Sequence, residues 1–83
     1  MNGGFSMNNK RRKKLEILSA EIEQLNSRIQ DVYDEEQECL DNMPENLQGS
    51  DRCSQAEECC EQLEECIDLL SEVIDIIGEV IIS

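Results

Sequence analysis

The sequence predicts an all-α fold: two long amphipathic helices folded back as an antiparallel, coiled-coil-like hairpin that dimerises into a four-helix bundle. Three observations predict it. Apolar residues recur at alternating steps of three and four in both halves of the chain, the heptad spacing of helices that pack side by side. A short run of turn-forming residues, Asn42 to Ser50, separates the halves. The second half also carries more apolar surface than a two-helix seam covers.

The first residues stand apart from this pattern. Asn2-Gly3-Gly4 can be encoded by a purine-rich stretch of the kind that forms a bacterial ribosome-binding site, and Phe5-Ser6 supplies a spacer before Met7. Residues 1–7 are therefore expected to be a disordered leader or a mis-assigned start, and residues 8–83 a single helical hairpin.

Helix 1 is expected over residues 8–41. With Leu15 as heptad position a, row a holds Leu15, Ile22, Ile29 and Glu36, and row d holds Leu18, Leu25, Val32 and Cys39. The loop follows at 42–50. Pro44 disfavours helix at the residue before it, and Pro44 to Gln48 can make one helical turn. Gly49 suits a left-handed turn, and Ser50 or Asp51 can cap the next helix. Helix 2 is expected over 51–82, with Cys53, Cys60, Ile67, Ile74 and Ile81 on row a and Ala56, Leu63, Leu70 and Ile77 on row d.

A short loop makes the helices antiparallel neighbours. Row a of each should then meet row d of the other: Leu15 with Ile77, Ile22 with Leu70, Leu25 with Ile67, Ile29 with Leu63, Cys39 with Cys53. Asn46, the midpoint of every pair, falls inside the loop, so two periodicities and a turn agree. The same register brings the basic block, Lys10 to Lys14, beside the last turn of helix 2, the negative end of its dipole. A nucleic-acid arm and a disordered tail are the other readings of that block.

Helix 2 is apolar beyond its seam. Cys59, Cys66, Val73 and Val80 lie on row g and Leu69 and Ile76 on row c, so its apolar arc spans about 160° at about 100° per residue. Rows b, e and f carry nine acids from Glu57 to Glu79. Cys59, Cys66, Leu69, Val73, Ile76 and Val80 are the predicted interface, and a homodimer with helix 2 inside is the expected assembly. A host protein is the rival occupant.

Composition excludes several functions. The net charge is −13, and after Lys14 two bases face twenty acids, which argues against nucleic-acid or anionic-membrane binding. No stretch reaches the roughly 18 apolar residues of a membrane span. Histidine is absent, and the only Gly-Gly pair, Gly3-Gly4, lies in the leader. Glu36, opposite Ala56, is the one acid expected near the core. The five cysteines are an odd number, and no two stand three or four apart on one helix, as an intrahelical metal pair requires. All lie on rows a, d or g, where Cys acts as a small hydrophobe. A reducing cytoplasm, no metal, no cofactor and no catalytic residue are therefore expected. The loop end, with Gly49, Ser50 and Arg52 at a helix N-terminus, is the one candidate anion site.

The stretch Asn42-Met43-Pro44-Glu45-Asn46-Leu47-Gln48-Gly49-Ser50-Asp51-Arg52, between Lys/Arg-rich and acidic heptads, resembles a group of small uncharacterised helical-hairpin proteins of Gram-positive gut bacteria and their phages. The resemblance implies a mobile-element or phage origin and no activity. The residues point to a small acidic, non-enzymatic interaction or regulatory module. Two alternatives are a nucleic-acid mimic that inhibits a DNA- or RNA-binding protein, and a small-anion or nucleotide sponge at the loop end.

Overall fold

The computed structural model describes residues 7–83, so the leader expected at the start of the chain lies, Met7 apart, outside the described residues. Two helices, α1 (Asn9–Asp41) and α2 (Asp51–Ile82), pack against each other. The chain is a rod of 67 × 17 × 12 Å with a radius of gyration of 19.0 Å, against about 12 Å for a compact globule of this length.

Each helix starts on a side-chain cap. Asn8 accepts the amide of Arg11 at 2.9 Å, and Ser50 accepts that of Cys53 at 3.3 Å, which satisfies one orphan donor at each N-terminus. Helix α1 ends at Asn42, whose amide donates to the Glu38 carbonyl at 3.0 Å, two residues before Pro44. A single 3-10 turn, Glu45–Leu47, then fills the loop. The expectation of a left-handed Gly49 is corrected here: Gly49 has no positive φ. The Ser50 amide reaches back to the Leu47 carbonyl at 3.1 Å, and the reversal is completed by extended backbone at Pro44 and Ser50 on either side of the turn, with no positive φ.

The helices run antiparallel. The Arg12 guanidinium donates to the Ser83 main-chain oxygen at 2.7 Å, and the Asn26 side-chain amide donates to the Ser71 hydroxyl at 3.3 Å. The basic block thus forms the first turns of α1 and lies beside the end of α2. Lys10, Arg11, Lys13 and Lys14 are exposed there, while Arg12 is half-buried.

On α2 the seam is the one read from the sequence, with rows a and d turned inward: Cys53, Ala56, Cys60, Leu63, Ile67, Leu70, Ile74, Ile77 and Ile81 are all buried or half-buried. On α1 it is not. The inward residues there are Leu15, Ser19, Ile22, Asn26, Ile29, Tyr33, Glu36 and Leu40, rows a and e. Row d faces out, with Leu18 48%, Leu25 51% and Val32 52% exposed. Exchanging row d for row e turns the helix by about 50°, half the 100° step between neighbouring residues. The turn corrects the expected pairs that used row d of α1, Leu25 with Ile67 and Cys39 with Cys53 among them. Its physical reason is the width of the apolar arc on α2. One helix cannot cover that arc, so α1 places its own apolar row on the same outer side, in the wide-stripe pattern of bundle helices.

The hairpin buries little by itself. Among the described residues only Cys53 and Cys60 fall below a tenth exposure, at 3% and 4%.

Candidate functional site

The 50° turn gives the hairpin two unlike sides. One is polar and made by row e of both helices. Asn26 and Ser71 are hydrogen-bonded across it, and the charge of Glu64 holds the Tyr33 phenol above its ordinary range. The Asn26 Oδ1 is buried with no partner among the described residues.

The opposite side is apolar. In an antiparallel pair, row d of α1, once off the seam, and row g of α2 flank the same edge of the interface. A cleft near the loop demonstrates this placement, because Cys39 of α1 and Cys59 of α2 both line it. From there the side runs along the rod through Leu18, Leu25 and Val32 on one helix and Leu69, Val73 and Ile76 on the other. Val73 is 40% exposed, and Leu69 and Ile76 more than half. Of the six interface residues read from the sequence, Cys59, Leu69, Val73 and Ile76 are exposed, and Cys66 and Val80 are half-buried at the edge of the seam. The α1 half of this surface was missed, because row d had been assigned to the seam.

Rows c and g of α2 hold no charge between Gln55 and Val80. Its nine acids, Glu57 to Glu79, are all exposed on the remaining rows. Leaving six large apolar side chains about half exposed forgoes roughly 1 kcal/mol each, and a contiguous patch of this kind marks an interaction surface.

The loop-end cleft encloses about 1030 Å³. Glu35, Glu36 and Glu38 line it together with Arg52, Met43 and Leu47, so its chemistry is acidic over an apolar floor. Of the three residues of the candidate anion site, Ser50 is engaged on both sides: its hydroxyl donates to the Leu47 carbonyl at 2.5 Å and caps Cys53. Arg52 lies among carboxylates, and Gly49 is exposed outside the cleft lining. The arrangement suits a basic group better than an anion.

The thiols divide by burial. Burial pushes the Cys53 thiol up, helped by Glu57, which accepts its hydrogen bond at 3.7 Å. Burial and then the charge of Glu36 push up Cys60. Both are therefore poor nucleophiles at neutral pH. Cys39 and Cys59 are exposed on the apolar side. Among the described residues no group of three or more Cys, Asp or Glu is disposed to hold a metal ion, and no helix is long and apolar enough to cross a membrane. Comparison with protein families, with characterised proteins and with solved structures finds no match to this chain.

Proposed function

We propose that this chain is a non-enzymatic protein-interaction module of regulatory type that works as a homodimer, two hairpins meeting through their apolar sides to form a four-helix bundle. One observation carries the reading: both helices turn exposed apolar rows to the same side, while the other side is polar and carries the Asn26–Ser71 bond. Among the described residues the lone hairpin buries two, and a domain of this size with so small a core is stabilised by association. The nine acids of α2 stay on the outer surface of such a bundle, which keeps it soluble and leaves a negative field for a further partner.

The test is Leu69→Glu combined with Val73→Glu. Sedimentation should show loss of the dimer, and circular dichroism a drop in helicity at the same protein concentration. An unchanged oligomer would remove the apolar side from the account.

A second reading rests on the exposed acids of α2. They stand about one per 4 Å along the helix, near the spacing of about 3.4 Å between phosphates on one DNA strand. A nucleic-acid mimic would hold basic host proteins and release them at modest salt; retention through high salt in a pull-down would exclude it.

A further inference from the structure

We infer that the second copy packs like on like, with α1 antiparallel to the partner's α1 and crossing it at Gln24 and Leu25. Lys10 and Lys14 of each copy then cover the cleft carboxylates Glu38 and Glu35 of the other. The inference rests on the homodimer proposed above and adds its geometry.

The charges beside the apolar row of α1 carry the argument. Row g reads Lys14, Glu21, Arg28, Glu35, and all four are exposed on the outer edge of the apolar side. Laid antiparallel on a copy of itself, this row matches throughout: Lys14 meets the partner's Glu35, and Glu21 meets the partner's Arg28. Row c extends the match, with Lys10 opposite the partner's Glu38; Ile17 opposite the partner's Asp31 adds nothing. Two-fold symmetry makes every pair occur twice. Row d supplies the centre of the contact, Leu25 on its own copy and Leu18 on the partner's Val32.

This arrangement accounts for two features that the hairpin leaves unexplained. Lys10 and Lys14 stand four apart on one helix face with no acid three or four residues away, a repulsive spacing within a single chain. Glu35 and Glu38 crowd a cleft whose only base is Arg52. Like-on-like packing brings the two charge clusters together.

The level of α2 agrees. Because the helices run antiparallel, the Asn26–Ser71 bond sets Gln24 and Leu25 beside Glu72 and Val73, within the stretch of α2 whose rows c and g carry no charge. The same two-fold axis therefore lays α2 on the partner's α2 centred on Val73, with Leu69 opposite the partner's Ile76. The competing dimer, α1 on the partner's α2, would set Lys14, Glu21, Arg28 and Glu35 against rows that offer no charge. That leaves each of them partly desolvated without a counter-ion.

Two measurements test the geometry. Zero-length carbodiimide cross-linking followed by peptide mapping should join Lys14 to Glu35. Those residues lie roughly 31 Å apart on one straight helix, so the link forms only between chains. Charge exchange is the second. Glu21→Arg or Arg28→Glu alone should weaken dimerisation about tenfold, since each change turns two rim pairs repulsive. The double variant E21R/R28E restores every pair with reversed sign and should return to the wild-type dissociation constant. A dimer that lacks the Lys14–Glu35 link, or a double variant weaker than either single, overturns like-on-like packing and leaves the apolar interface standing. A wild-type chain that stays monomeric removes both proposals together.

Discussion

Leu25 and Asn26 are neighbours in sequence, about 100° apart on α1, and only Asn26 faces the seam. Asn26 is half-buried on the seam and bonded to Ser71, whereas Leu25, the more apolar of the two, is 51% exposed. If the hairpin were the whole assembly, turning α1 to exchange the two rows would lower its free energy, by roughly 1 kcal/mol for each half-exposed leucine or valine covered. The structure accepts the poorer seam and keeps its best apolar row outside. The difference teaches that the two sides of the rod are unlike: one sets the pairing within a chain, and the other is the side on which the proposed dimer would form.

Breaking the proposed dimer side should have the largest effect. Leu25→Glu puts a charge at the dimer centre twice over, and the loss of at least about 3 kcal/mol corresponds to a hundredfold or greater rise in the dissociation constant. Ser71→Glu, on the polar side, should leave association unchanged. Analytical ultracentrifugation of the two variants separates the sides directly. Equal effects would mean that the sides are not distinct.

The pairing side can be sharpened instead. Asn26→Leu removes a buried, unpartnered Oδ1 and adds apolar surface to the seam. It should raise the stability of the hairpin by about 1 kcal/mol, the usual cost of an unsatisfied buried acceptor, at the expense of the Ser71 contact that fixes the register. Thermal melts monitored at 222 nm would show it; a lower melting temperature would mean that the Asn26–Ser71 bond outweighs the orphaned oxygen.

Gly78 lies on the same side, half-buried within α2, and a Cβ added there meets nothing within 4 Å. Gly78→Ala should therefore stabilise the helix by somewhat less than about 1 kcal/mol, the full propensity difference, because Gly78 lies close to the end of α2 at Ile82. Destabilisation on urea titration would mean that α1 approaches closer than the structure places it.

The smallest effect should come from the buried thiols. Cys53 and Cys60 have pKa values raised above the ordinary 9.0 in the fold. Folded chains then hold protons that unfolded chains release. Their contribution to stability is complete below the ordinary thiol value and is lost as pH rises through the raised one. Stability under reducing conditions should thus decline on the alkaline side of pH 9, and Cys53→Ala with Cys60→Ala should flatten that decline. Alkylation at pH 8, at a protein concentration low enough to keep the chain monomeric, should label Cys39 and Cys59 before either buried thiol; labelling of Cys60 first would contradict the seam.

Much of this fold was legible in the residues. Alternating steps of three and four, a proline-marked loop and a serine cap before an acidic heptad helix were enough to give two packed helices, and the broad apolar arc of α2 marked its outer face. The rotation of α1 was not legible from spacing, because the steps Leu15–Ser19–Ile22 and Leu15–Leu18–Ile22 fit the same alternation. Hydrophobicity then ranks Leu18 and Leu25 as core, which is sound for a regular two-helix coil and fails here because α1 turns rows a and e, not a and d, toward α2. One signal was available: surplus apolar rows c and g on α2 call for an apolar row of α1 on the same side, and only row d can supply it. The acidic cleft was also out of reach, since it joins Glu35 and Glu38 to Arg52 across a loop whose path depends on the 3-10 turn.

The account stands or falls on whether the apolar side is covered by a second copy. Sedimentation equilibrium of the reduced wild-type chain, from low micromolar to several hundred micromolar, measures this without any substitution. The mass should move from the 9.5 kDa of one chain to twice that value and stop there, with helicity rising in step. A mass of one chain across the whole range, with full helicity throughout, would contradict it.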